Sequence, residues 1–312
     1  MNHMESETYD VAIIGGGPAG LSAALVLGRA RRRVVVIDAA QPRNAPAEHM
    51  HGFLSRDGMP PADLLDTARA EVRHYGVEIV EDRVVGATAG FALRLAGGRT
   101  IEARKLLLAT GAADDLPEVL GARERWGRDF LHCPYCHGWE VRDQPIGVLA
   151  TGPGSVQHAH LLRQWTDDVI FFTHSHTVTA EERATLEARG IEVVDGAVER
   201  LVVDDRLRAV QLADGRTVPR DAVFIRPALH GHTDGPAAAL GCELLAGGLV
   251  QADADGRTSV PGIWAAGNAT NPRAQVITAA GEGSAVAIVI NTELVQDDLN
   301  TAVQQAAAAT AA

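Results

Sequence analysis

Thiols are scarce in this chain: its 312 residues include three cysteines, too few for a disulfide-stapled secreted scaffold. Positive charge is also in deficit, with 28 Lys and Arg against 40 Asp and Glu and a formal net charge of -12. That balance excludes a broad basic face for nucleic acid or for an anionic membrane surface. No apolar run reaches the length of a membrane span, and the N-terminus lacks a charged-then-apolar leader pattern, so a cytoplasmic location is expected. The chain is 46% hydrophobic and 22% charged, and it is long enough for two domains with real cores. Its one basic run, Arg29 to Arg33 interrupted by Ala30, reads as a helix end entering a strand.

Two of the cysteines stand in Cys133-Pro134-Tyr135-Cys136-His137-Gly138. Thiols at this spacing can close into a small, easily reduced disulfide, which makes the pair a two-electron relay rather than a staple. In a reducing compartment a C-x-x-C is more often catalytic than structural. Half of a zinc site is the competing reading, but zinc needs a second ligand pair at short spacing. His132 and His137 sit too close to the cysteines to complete a tetrahedron easily, so no metal is expected. Cys242, in an Ala/Gly/Leu-rich run, reads as a buried, inert thiol.

A strand-length apolar run over residues 9–14 leads into Gly15-Gly16-Gly17-Pro18-Ala19-Gly20. A helical pattern follows, then a second apolar strand from Val34 that closes on Asp38. This is the full context of a dinucleotide fingerprint. Gly15 permits the tight turn, Gly17 lets the backbone approach a pyrophosphate, and Gly20 lets helix and strand pack closely. The pyrophosphate would rest on the helix N-terminus, and Asp38 would accept from a ribose.

Residues 41–61 read as a long loop of the kind that lines sites, with His49, His51 and Phe53 as its notable side chains. A helix is expected over 62–74, then strands over 77–85, 91–95 and 105–108, the last ending in Ala109-Thr110-Gly111. A second strand-glycine-helix unit, Ile146 to Gln157, is a degraded copy. Gln157 stands where a third glycine would let helix and strand touch. Histidines and the acids Glu181 and Glu182 follow the next strand, where an NADPH site would offer arginine. The expectation is a retained fold whose dinucleotide site has been lost.

Hairpin-like stretches are expected over 191–203 and 208–218. Further on come Ala265-Ala266-Gly267-Asn268 and then Gln275-Val276, opening a small-residue helix that should run through Ile290. The Ala- and Gln-rich tail from Gln296 suggests no function. Most residues of the histidine pairs 49/51, 158/160, 174/176 and 230/232 are expected to be surface or site-lining residues rather than metal ligands.

Taken together, Gly15–Gly20 with Asp38, Ala109-Thr110-Gly111, the C-x-x-C, and Gly267-Asn268 with Gln275-Val276 resemble the low-molecular-weight thioredoxin reductase family. That resemblance implies an α/β protein of two Rossmann-like three-layer domains, with FAD as cofactor and a homodimeric assembly. The FAD domain would be discontinuous, residues 1–116 and 237–312, and a smaller domain over 117–236 would carry the C-x-x-C. By the same resemblance Gly15, Gly17, Pro18, Ala19, Gly20, Asp38, Ala109, Thr110, Gly111, Gly267, Asn268, Gln275 and Val276 would contact the cofactor.

The chain also departs from those reductases. It has His137 where they carry an acid, Asn268 where they carry Asp, and Ala274-Gln275-Val276 for Arg-Gln-Ala. These departures are similar to those of the FAD-dependent dithiol oxidases of gliotoxin and holomycin biosynthesis. That similarity implies oxidation of a small-molecule dithiol through Cys133 and Cys136, with O2 as electron acceptor. Each exchange step needs a thiolate, so a base of near-neutral pKa is useful and His137 is the natural candidate for the catalytic base, against a reading in which it only caps or packs against the redox helix. Two other readings stay open at this point: a disulfide reductase fed by NADPH or another donor, and a flavin-binding redox sensor without turnover.

Overall fold

The computed structural model describes residues 8–88, 90–232 and 235–311. The chain forms two compact units. The first comprises Met1–Arg43, Ala62–Ala113 and Leu229–Ala312, and the second Asn44–Pro61 and Asp114–Ala228. The chain passes between the units at 43/44, 61/62, 113/114 and 228/229. The 44–61 loop, expected to stay with the first domain, belongs to the second unit. Its Pro46 lies so close to Gly127 that a Cβ there would come within 2.9 Å of the Pro46 backbone, and its His51 faces Glu140 at 3.4 Å.

In the first unit four parallel strands lie in the order Glu78–Glu81, Val34–Asp38, Thr8–Ile14, Thr100–Leu108. Ile263–Ala265 pairs parallel to the last of these, and Ala92–Leu95 and Val84–Ala87 continue the sheet antiparallel. Strand periodicity sorts the core into two layers. Val11 and Ile13 face the helical layer with Leu21, Ala24 and Leu27, and Ala12 and Ile14 face the other side with Leu106 and Leu108.

The C-terminal helix does not stop near Ile290 but runs from Val276 to Ala311. Ion pairs carry it past its apolar face. Asp298 accepts from Arg32 at 2.8 Å and Arg104 at 2.6 Å, and Lys105 reaches Asp297 at 3.0 Å.

The second unit holds a five-stranded, all-parallel sheet in the order Glu192–Val194, Val169–Phe172, Ile146–Leu149, Ala222–Ile225, Phe130–Leu131. A separate antiparallel meander is built from Val198–Val203, Leu207–Leu212 and Thr217–Pro219. Glu192–Val194 was expected in a hairpin. It joins the parallel sheet because a helix, Ala180–Ala188, intervenes and supplies the crossover that parallel strands need. A capping box starts that helix: Thr179 Oγ accepts from the Glu182 N–H at 3.1 Å, and the Glu182 carboxylate accepts from the Thr179 N–H at 2.9 Å. Glu182 therefore serves as a helix cap, not as a charge set against a nucleotide.

Candidate active site

The strands ending at Ile14, Leu108 and Ala265 are in register with one another, so the turns that follow them leave one edge of the sheet together. Two of the fingerprint glycines are required by the protein itself. Gly15 has φ +110, and a Cβ on it would fall 2.2 Å from the Ala109 carbonyl oxygen, while a Cβ on Gly20 would fall 1.9 Å from the Gly15 carbonyl.

Gly17 is different. Its φ of -79 suits any residue, and nothing lies within 4 Å of a Cβ placed there. The open ground fronts a 12-residue helix, Pro18–Arg29, that has Pro in its first turn, no side-chain cap and no acid in that turn. Free N–H groups and the helix dipole suit a pyrophosphate at this position.

Asp38 receives the Ala40 N–H at 3.2 Å and Arg69 at 3.0 Å. A carboxylate accepts about four hydrogen bonds, so capacity remains for a ribose hydroxyl. Gly111 sits at φ +68 with open space around it. Gly267, at φ +71, packs on Ala19 and donates its N–H to Glu282 at 2.9 Å. Gln275 directly precedes the helix that begins at Val276, and its carbonyl accepts from the Ala279 N–H. The Asn268 side chain is engaged by protein: its amide donates to the Asn271 and Ala274 carbonyls at 2.9 and 3.1 Å, and its oxygen accepts from Arg43 at 3.3 Å. This set of residues fits FAD.

In the second unit the strand Phe130–Leu131 feeds the short helix Pro134–His137, with Cys133 as its N-cap. Cys133 and Cys136 form a disulfide across a Cα separation of 5.2 Å. The N–H groups of Cys136 and His137 both donate to the Cys133 carbonyl at 3.1 Å, which fixes the turn. The Trp165 indole lies against Gly138, where a Cβ would be 2.9 Å from the ring, and it also meets the Tyr135 ring edge-on at 5.7 Å.

His137 is half-buried, and among the described residues none shares a hydrogen bond with its ring. Burial holds its pKa below the ordinary value. The charge of Glu140 opposes that shift and His51 adds to it. The ring is therefore neutral at pH 7 and able to accept a proton.

The chain entering Cys133 is braced by a histidine stack, His132 on His158 at 6.4 Å and 19°. His158 is 8% exposed and its Nε2 is buried without a partner, so it is a core residue rather than the surface or site-lining residue expected from sequence. Burial first, then the nearby His132 and Arg226, push its pKa down from 6.5 to about 3.

Protonation is thus disfavoured in the folded state. The stability this neutral ring contributes is complete above pH 6.5 and declines as pH falls from there toward 3. Between pH 7 and pH 5 the wild type should lose about 2 kcal/mol more than His158→Phe, measured by urea denaturation at each pH.

The degraded second glycine loop differs from its sequence reading. Gln157 does not wedge between helix and strand; it is exposed, and Ser155 and Val156 are buried instead. The helix Gly154–Leu162 begins at the second glycine itself with Pro153 as cap, which changes its buried face. The Arg226 guanidinium lies over Gly154, where a Cβ would be 2.4 Å from it, so the counterpart of the open ground at Gly17 is covered. Arg226 directly follows the buried strand Ala222–Ile225, but its sequence position gave no hint of a partner so far away.

The histidines of this unit serve local roles. His174 accepts the Val198 N–H at 3.1 Å, and His176 faces Glu182 at 3.6 Å. Arg183 is paired with Asp195 at 2.6 Å. Among the described residues no three His, Cys, Asp or Glu side chains gather as a metal site. Cys242 is buried, and burial raises its thiol pKa.

A Rossmann-type unit with an open glycine loop, joined in one chain to a C-x-x-C disulfide, defines an FAD-dependent thiol oxidoreductase. The chain belongs to the pyridine nucleotide-disulphide oxidoreductase family, whose pattern matches residues 9–283. It is 33% identical to "Thioredoxin reductase tcpT" of Claviceps purpurea (strain 20.1), over 94% of this chain and 96% of that protein. It is 30% identical to "Thioredoxin reductase sirT" of Leptosphaeria maculans, over 93% and 96% of the two chains. The crystal structure of HlmI superposes with a TM-score of 0.93 at 51% identity, covering 100% of this chain and 99% of that one. No described helix is long and apolar enough to cross a membrane.

Proposed function

We propose that the protein is an FAD-dependent dithiol oxidase: it closes an intramolecular disulfide in a small-molecule dithiol, with O2 as the final electron acceptor. The observation that carries this reading is His137, a half-buried imidazole directly after the redox pair that burial keeps neutral at pH 7. An acid there would suit protonation of a departing thiolate, whereas a neutral imidazole can take a proton from an incoming thiol. The covered second glycine loop adds to this, since it argues against an NADPH feed.

The steps follow from the side chains. His137 accepts the proton of one substrate thiol, and the resulting thiolate attacks Cys133 Sγ. The Cys133–Cys136 bond breaks, and Cys136 leaves as a thiolate. The second substrate thiol attacks the substrate sulfur bound to Cys133 and gives its proton to the departing Cys133 sulfur, releasing the cyclic disulfide and the Cys133 thiol. Two electrons then reside on the cysteine pair, and Cys136 would be the sulfur that passes them to the cofactor. The reduced cysteine pair would hand these two electrons to bound FAD, which would supply the redox carrier needed to reduce O2 to H2O2.

Gly15, Gly17, Pro18, Ala19 and Gly20 would hold the pyrophosphate, and Asp38 the ribose. The turns at Ala109-Thr110-Gly111, Gly267-Asn268 and Gln275-Val276 would flank the remainder, with Asn268 acting through its backbone because its side chain is engaged. On this reading the FAD domain is the first unit and the redox domain the second, working as a cytoplasmic homodimer.

Gly17→Val tests the cofactor placement directly. Its backbone and surroundings tolerate a side chain, so the variant should fold with an unchanged apoprotein melting temperature yet purify with little FAD by absorbance. A fully yellow variant would move the pyrophosphate elsewhere.

Anaerobic mixing tests the activity. The FAD absorbance should bleach with dithiothreitol and stay unchanged with NADPH, and calorimetry should detect no micromolar NADPH binding. Bleaching by NADPH would instead make the protein a reductase, and bleaching by neither would make it non-catalytic.

A further inference from the structure

Within the second unit, beside the redox helix, lies an open groove of about 520 Å³ lined by His51, Gly52, Asp57, Tyr135, Trp139 and Glu140. Its size falls in the range of about 300–1,000 Å³ typical of small-molecule sites. Two large aromatic side chains line it in the open, Tyr135 at 64% and Trp139 at 66% exposure, although apolar area left uncovered is usually an interaction surface. Both rings are held in place. Tyr135 packs edge-on against Trp165, and the Arg142 guanidinium lies 4.1 Å from the centre of the Trp139 ring.

The polar lining is acidic. His51 is wedged between two carboxylates, Asp57 at 3.2 Å and Glu140 at 3.4 Å, and Asp57 also takes the Gly52 N–H at 2.8 Å. The Gly52 hydrogen bond and His51 together keep the Asp57 carboxyl below the usual range. The groove therefore combines fixed aromatic surface with carboxylate hydrogen-bond acceptors, and Tyr135 places it within the C-x-x-C turn itself.

We infer that this groove recognises the dithiol, and that it selects an uncharged or cationic molecule with a flat unsaturated ring and N–H donors over an anionic or purely aliphatic one. The ring would lie on Trp139 and Tyr135, and the N–H groups would donate to Asp57 and Glu140. A carboxylate-bearing dithiol would meet like charge at the same two acids. The inference rests on the dithiol-oxidase reading and deepens it by giving the substrate's chemical class.

Two matched pairs of dithiols test it, with the rate of anaerobic bleaching of the FAD-loaded protein as readout. Dihydrolipoamide and dihydrolipoate share one dithiol and differ in amide against carboxylate. The wild type should favour the amide by about fivefold, the upper worth of an exposed ion contact. That ratio should collapse toward unity in Asp57→Asn/Glu140→Gln. The single Glu140→Gln should lower it in part, and it serves alone if the double variant fails to retain FAD and a wild-type melting temperature.

The second pair is 1,2-benzenedimethanethiol and butane-1,4-dithiol. An aromatic preference of about three- to tenfold, the worth of a ring contact, should vanish in Trp139→Ala and return in Trp139→Phe. Bleaching by all four dithiols with ratios that the substitutions leave unchanged would overturn the groove and leave the oxidase standing. Bleaching by none of them would overturn both.

Discussion

Cys133→Ser and Cys136→Ser should each abolish dithiol turnover while differing in colour. The relay needs two sulfurs: one forms the mixed disulfide with substrate, and the other must leave as a thiolate and carry electrons onward. With either sulfur replaced by oxygen the disulfide of the resting pair cannot form, so the expected loss is complete rather than partial. The remaining thiol decides the spectrum. A thiolate lends charge to a flavin only from beside it, so Cys133→Ser, which retains Cys136, should show a long-wavelength charge-transfer band, and Cys136→Ser should not. If the band appeared in Cys136→Ser instead, the inner and outer roles of the two cysteines would be exchanged.

His137→Ala should slow anaerobic FAD bleaching by a dithiol by ~10² to 10⁴-fold near pH 7, the usual worth of a positioned base. The pH dependence gives the sign. Burial lowers the pKa of His137, so in the wild type the base stays unprotonated down to below its ordinary value of about 6.5 and fails only in more acidic solution. In the variant the substrate must supply its own thiolate, so the deficit should shrink as pH rises toward about 8.5, the pKa of a free thiol. The oxygen step should change little, because no substrate thiol takes part in it. A deficit that is constant across pH, or confined to the oxygen step, would make His137 a scaffold and pass the base role to His132 or His51.

Much of this protein was legible because its signals are local. A strand, a glycine turn, a helix and a closing acid within residues 9–38 specify one way for a backbone to turn and one helix end left open, and that unit stands as expected from Thr8 to Asp38. The C-x-x-C and its histidine are equally local, since three residues of chain bring both sulfurs within bonding reach. The helix Ala180–Ala188 has a local signal too: Thr179 followed three residues later by Glu182 is a capping box, so these acids open a helix.

Long-range packing decided the rest. The sequence shows Gly154 as an intact glycine position, but only the folded chain lays Arg226 over it. Nothing local assigns the 44–61 loop to the second unit or sets His51 between Asp57 and Glu140. Sequence alone determined the redox pair, its neighbouring imidazole and the first dinucleotide fold, because backbone geometry over a few residues suffices to dictate them. Tertiary structure alone decided that His137 is desolvated, that Gly17 faces open ground while Gly154 does not, and that two aromatic rings and two acids share a groove. Burial and charge depend on neighbours that the chain brings together only when it folds.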